Sequence, residues 1–187
     1  MKRLTKLFAV LATVWLSLSA CSTTSSISNG GALDTSAKWA LLPLTNHTDT
    51  PQAALAAEVM AEHHLRLQGL SQLMRYPATL SRDTLFEPSE RRVSDEARKW
   101  AREQGVRYGV QGAVEEWRYK VGIDGEPAVG VTLQIIDLNN NDAVVWSASS
   151  ARSGWSREAL SAVATKVMEN LVAGLPLSAN ASGSTAK

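Results

Sequence analysis

A single cysteine, Cys21, stands among 187 residues, so no disulfide can form within the chain. The chain has no Gly-x-Ser-x-Gly elbow, no phosphate loop, no dinucleotide fingerprint and no calcium loop. Long hydrophobic runs are missing too. The apolar run from Leu7 to Leu16 is far shorter than the roughly 20 residues that cross a bilayer. Behind Lys2, Arg3 and Lys6, and followed by small residues, it has the form of a secretory signal, residues 1–20. Removing that segment takes away three cations and no acid. Sixteen basic side chains then face eighteen acidic ones, a slight negative excess. With no basic stripe and no interleaved aromatics, nucleic-acid binding lacks electrostatic support.

The lone cysteine is informative through its position. Leu18, Ser19, Ala20 and Cys21 resemble the lipobox of bacterial lipoproteins, in which the cysteine is acylated and becomes the new N-terminus. Acylation of Cys21, palmitate included, also disposes of a thiol that would be a liability in an oxidising compartment. Ser22, where inner-membrane lipoproteins commonly carry Asp, implies an outer-membrane anchor facing the periplasm. Stable anchoring needs more than one acyl chain, and lipoprotein processing supplies it.

After Cys21 the stretch STTSSISNGGALDTS has few large apolar residues, so residues 21–36 are expected to be the lipidated residue and a flexible tether. Residues 178–187, SANASGSTAK, are expected to be a disordered tail, leaving residues 37–177 as one globular domain. Within it, Lys38 to Leu44 suits a buried strand. Thr50 and Pro51 read as N-cap and first position of a helix with Ala56, Val59, Met60, His63 and Leu67 inward, closed by Gly69. Ser71 to Tyr76 follows as a strand. Ser94 is expected to cap a second helix ending at Gly105. Val106 to Ile123 alternates, but its parity changes at Glu115 and Glu116, which predicts a bulge or a change of pairing partner there. Val129 to Ile135 and Val144 to Ala148 complete an antiparallel meander, with a tight turn at Asn139 to Asp142. A last helix runs from Ser156 to Leu171. This order predicts an α/β fold, a mixed β-sheet flanked by α-helices in a single domain.

Catalytic chemistry finds little support. His63 and His64 are adjacent on a helix and point apart, so they cannot jointly grip a metal, and His63 is expected to pack. His47 lies just before a helix start and is expected to touch it. No metal site, cofactor or enzyme activity is expected. Six tryptophans stand out. Trp39 and Trp146 are expected in the core. Trp155 has two open readings: a staple against Leu160 before an N-cap at Ser156, or an aromatic for a membrane headgroup layer, flanked by Arg152 and Arg157.

The segments KWALLPLTNHTDTPQA, RDTLFEP, GAVEEWRYKVGIDGEPAVGVTLQIIDL and SARSGWSREALSAVATKVMENL resemble the PelC family, outer-membrane lipoproteins of Pel exopolysaccharide export. The order of elements is more distantly similar to the curli-secretion lipoprotein and to the N-terminal domain of TolB. The resemblance implies a periplasmic ring of identical subunits, a dodecamer, lying beneath the porin PelB. Such a ring would guide a cationic exopolysaccharide past acidic side chains. Asp124 is the first candidate guide, then Glu126, Glu115 and Glu116, with Trp155 as the membrane-facing aromatic. Asp124 followed by Gly125 also reads as simple hairpin-turn chemistry. Two other classes stay open: a monomeric outer-membrane lipoprotein that activates a peptidoglycan synthase, and a periplasmic hydrolase.

Overall fold

The computed structural model of the chain describes residues 22–28, 31–77, 90–121 and 125–179. Cys21 and Asp124 lie outside them, as do the signal segment and the RDTLFEP motif. The elements are β1 (Ser22–Ser28), β2 (Leu33–Asp34), β3 (Trp39–Leu41), β4 (Thr45–Asn46), α1 (Ala53–Leu67) and β5 (Leu73–Arg75), followed by α2 (Glu90–Glu103), β6 (Tyr108–Tyr119), β7 (Pro127–Asp137), β8 (Ala143–Ser153), α3 (Leu160–Ala173) and β9 (Leu177–Ser178). Seven strands form one sheet ordered β1-β8-β7-β6-β3-β5, with β4 also on β6. β3 pairs in parallel with β5 and β6, while β6, β7, β8 and β1 are antiparallel. The sheet is mixed and flanked by helices, as the element order predicts.

The chain just past Cys21 departs from the expected tether. Ser22–Ser28 pairs along its whole length with β8, from Ser22 opposite Arg152 to Ser28 opposite Trp146. The tether expectation rests on side-chain burial, and β1 indeed leaves Ile27 exposed. Pairing runs instead on the backbone, because the free edge of β8 presents unpaired N–H and C=O groups to any extended partner. Thr24 and Ser150 add a hydroxyl contact at 3.0 Å. Leu33 in β2 is buried in the core, so the packed region begins before residue 37. Ser178, expected in the tail, pairs with Asp34.

α1 and α3 cover one face of the sheet over Trp39, Val114, Trp117, Leu133 and Trp146. α2 covers the other face only at the β3–β5 end, over Ala40, Leu42, Tyr76 and Ile136. Beyond Gln111, which Arg98 of α2 reaches, the rest of that second face carries no helix among the described residues. α1 is rotated from its predicted orientation: Ala53, Ala57, Ala61, His64 and Leu65 are buried, while Val59, His63 and Leu67 face out. Both faces are apolar, so periodicity cannot choose between them. The alanine face lets α1 approach the sheet more closely. Thr50 does not cap α1, because its hydroxyl donates to the Trp117 carbonyl; the helix starts at Ala53 behind Gln52, whose φ is 61°. Ser94 likewise lies inside α2, which begins at Glu90.

Glu58, 7% exposed, ties α1 to β5 and to the β3–β4 loop: it accepts from the Leu44 amide at 3.0 Å and from Arg75 at 2.8 Å. Glu58→Ala leaves the buried Leu44 amide unmatched and the part-buried Arg75 without its partner. It is expected to cost about 3 kcal/mol in chemical denaturation of the mature chain. Removal of the exposed Glu62–Arg66 pair in Glu62→Ala should cost only about 0.5 kcal/mol. His64 yields a pH prediction. Burial holds its pKa below 6.5, reinforced by His63 and opposed by Glu169. The folded state therefore favours the neutral ring. Stability is full above the unfolded value near 6.5 and declines as the pH falls below it. In His64→Gln that decline should flatten in melting curves taken from neutral pH downward.

Candidate functional site

The β6–β7 ladder pairs Val114 with Val131 and Glu116 with Gly130, so Glu115 is the extra residue of a bulge. The slip lets Val114 and Trp117 both reach the core while Glu115 and Glu116 turn to the open face. A groove of about 400 Å³ lies there, lined by His47, Asp49, Glu115, Glu116 and Arg118. A second hollow, about 290 Å³, shares Glu115 and continues past Arg98, Gln111 and Gln134. Those three side chains are hydrogen-bonded in series at 3.1 and 3.2 Å.

Each bulge acid has a basic neighbour. Glu115 lies 3.0 Å from Nδ1 of His47, and Glu116 accepts from Arg118 at 3.0 Å. His47 thus contacts the bulge rather than the start of α1, with its amide held by the Val114 carbonyl at 3.0 Å. Asp49, which no sequence pattern singles out, is exposed on the same groove and has no ion-pair partner among the described residues. Its signal is the parallel pairing of Thr45 and Asn46 with Ala113 and Val114, which brings TNHTDT beside GAVEEW.

The other predicted residues gather at the end of the sheet where β6 and β8 finish and β7 begins. Glu126 is partly buried, and its carbonyl accepts from the Lys120 amide at 2.7 Å across the hairpin. Three bonds then stitch the hairpin to the loop after β8. The Gly154 amide donates to the Pro127 carbonyl at 2.8 Å, Lys120 Nζ donates to Ser153 Oγ at 2.7 Å, and the Leu160 amide donates to the Tyr119 hydroxyl at 3.0 Å. The last bond satisfies an orphan donor at the start of α3.

Trp155 projects from this loop, 58% exposed, so it does not staple against Leu160. The reason is local: α3 starts at Leu160, not at Ser156, and Arg157 adopts the left-handed region at φ 65°. Glu158 braces the loop by accepting from the Trp155 amide at 3.0 Å and from Lys166 at 2.8 Å. The Lys166 bond, then the Trp155 amide, hold its carboxyl below the usual range. Gly154 is required, since a Cβ there would sit 2.6 Å from both Glu158 Oε2 and Val163 Cγ2. Arg157 is exposed in the loop. Arg152 is half-buried on β8, opposite Val129, with its charge acting on Glu158.

Among the described residues no helix is long and apolar enough to cross a membrane, and no group of three or more His, Cys, Asp or Glu could hold a metal. Edge contact of the His63 and His64 rings, 5.3 Å between centroids, involves one exposed and one buried ring.

No protein-family model matches the chain, and no curated protein does. Solved structures do. A dodecamer of PelC from Paraburkholderia phytofirmans, as a leucine-to-methionine variant, is 42% identical, covers 84% of this chain and 100% of that one, and has a TM-score of 0.72. A second crystal form of that dodecamer is 41% identical, covers 84% and 99%, and has a TM-score of 0.70. Lipoprotein GNA1162 from Neisseria meningitidis, 16% identical over 70% of this chain and 91% of that one with a TM-score of 0.51, shares the fold alone.

Glu158→Gln weakens the brace without changing size. Trypsin cleavage after Arg157 at neutral pH is expected to speed up roughly tenfold, as the loop opens more often, with cleavage after Arg66 in α1 unchanged.

Proposed function

The chain belongs to the PelC family, and from that premise we propose that it is a lipid-anchored outer-membrane protein facing the periplasm that closes into a ring and guides cationic Pel exopolysaccharide to the porin PelB. In this reading it is not an enzyme. Cys21 carries the acyl chains, and Asp124, Glu126, Glu115 and Glu116, joined by Asp49, supply the negative field. The observation that carries the reading is likeness to a dodecamer over essentially that protein's whole chain.

Two physical arguments support it. A ring repeats each acid around one opening, and a narrow opening focuses the field, so local polymer concentration rises without a tight site. Glu116, already matched by Arg118, makes a weaker contribution than the hairpin acids, because the neighbouring cation cancels much of its field at a distance. The second argument concerns α1. Leu55, Val59 and Leu67 are 40%, 56% and 68% exposed at spacings that place them on one side of the helix. A ring contact with a second copy would take that apolar row out of water.

The test has two arms. Light scattering on the mature chain should give a closed oligomer, and Val59→Glu should reduce it to monomer; a wild-type monomer over a wide concentration range would overturn the ring. Asp124→Lys with Glu126→Lys should keep the wild-type mass and abolish polymer secretion in cells, while secretion at wild-type levels would overturn the acidic guide.

A further inference from the structure

The hollow beside the acid groove has a hydrogen-bonding bias of its own. Arg98 Nη2 donates to Gln111 Oε1 at 3.1 Å, and Gln111 Nε2 donates to Gln134 Oε1 at 3.2 Å. Both carbonyl oxygens of the series already accept, so what it offers the hollow is N–H. The Gln134 amide nitrogen ends the series, and Arg98 Nε is buried with no hydrogen-bond partner among the described residues. A buried N–H without a partner is costly, and one belonging to a residue that lines a hollow calls for an acceptor from outside the chain. An anionic acceptor is disfavoured. Asp95 lies 3.7 Å from Arg98 and offsets its charge, and Glu115 lines the same hollow. The acceptor that fits is neutral, a carbonyl or a hydroxyl.

The adjoining groove has the opposite bias. Asp49, Glu115 and Glu116 line it with acceptors, which suit an ammonium group. Glu115 belongs to both hollows, so they form one trough, in which Gln111 and Glu115 are about 13 Å apart along β6. That span is longer than one sugar ring. Gly130 lines the acid end, and a Cβ there would meet nothing nearer than 3.5 Å, so packing does not demand glycine. A bare strand position of this kind lets a ligand approach the backbone closely. Under Gln111 and Gln134 the strands are paired on both sides, β6 with β3 and β7, and β7 with β6 and β8. An extended peptide finds no open edge there to pair with, and the lining offers the hydroxyls of Ser94 and Thr132 rather than apolar pockets.

We propose that this trough is a saccharide subsite, in which Arg98 and Gln134 hold the acetamide carbonyl of one amino-sugar unit while Asp49, Glu115 and Glu116 hold the ammonium of a deacetylated neighbour. The inference rests on the reading that the chain handles a cationic amino-sugar polymer, and it adds a neutral grip that field focusing does not provide. Such a polymer is recognised by its pattern of acetylation as well as by its charge.

Saturation-transfer NMR detects weak ligands on a large oligomer. The mature chain is mixed in turn with fully N-acetylated chitopentaose, its half-deacetylated and fully deacetylated forms, cellopentaose and a lysine–glycine pentapeptide. Acetyl methyl protons are expected to take up saturation, and in the fully acetylated pentamer they should do so equally at low and high salt. Gln134→Leu and Arg98→Met should each lower that uptake about fivefold, the loss expected for one hydrogen bond, with oligomer mass and melting temperature unchanged. Gly130→Val, which fills the floor of the acid end, should lower uptake by the half-deacetylated pentamer severalfold. Wild-type uptake in both the Gln134→Leu and Arg98→Met chains overturns the subsite. Uptake by the fully deacetylated pentamer alone, lost at high salt, overturns the neutral grip and spares the acidic guide. No uptake by any saccharide overturns the subsite without touching that guide, which needs no tight site. Cellopentaose matching the acetylated pentamer overturns the acetamide assignment, and the peptide matching it overturns the saccharide.

Discussion

Between Val114 and Glu116 the β6–β7 ladder slips by one residue, which breaks the strict two-residue period of the strand. Without the slip, residue 117 would turn outward with the rest of the far half of β6. Trp117 would then leave the core under α1 and α3, and Glu116 would point into it opposite Val129. With it, one strand of 12 residues buries Val110, Val114 and Trp117 on the same side and puts two carboxylates side by side on the other. The increased local twist of a bulge also bends the hairpin arm that carries Tyr119 and Val121. The core, the groove acids and the aim of the hairpin thus share one cause.

Downstream of that bend the geometry is held by groups that satisfy one another. The Tyr119 hydroxyl accepts from the Leu160 amide at the start of α3, the Pro127 carbonyl accepts from Gly154, and Glu158 closes the Trp155 loop against Lys166. An exposed tryptophan on a loop held by a buried glycine and a charge-assisted bond is a rigid presentation, unlike one on a free loop. Its environment differs from that of Trp39 and Trp146, which are fully enclosed and donate to the carbonyls of Asp34 and Gly174.

Much of this architecture is legible residue by residue. Alternation locates β6, β7 and β8, the parity change locates the bulge, and Asn141 and Asp142 adopt the positive φ that a tight turn requires. Gly69 and Gly105 end their helices with φ of 96° and 70°. Helix starts are less legible. Thr50 has the right chemistry for a cap but finds a stronger demand in the Trp117 carbonyl, and Ser94 lies within a helix that the preceding residues already propagate.

Local periodicity and turn chemistry therefore sufficed for the mixed sheet, the order of its long strands and helices, its tryptophan core and the two acids at the bulge. These features arise between residues close in the chain, where spacing alone dictates which side chains share a face. Folding in three dimensions decided the rest: the alanine face of α1 turned inward, Asp49 beside Glu115, β1 zipped onto β8 rather than trailing free, and the hairpin joined to the Trp155 loop. Each of these joins segments distant in sequence through backbone hydrogen bonds or shape, and neither leaves a periodic mark on the side chains that a sequence displays.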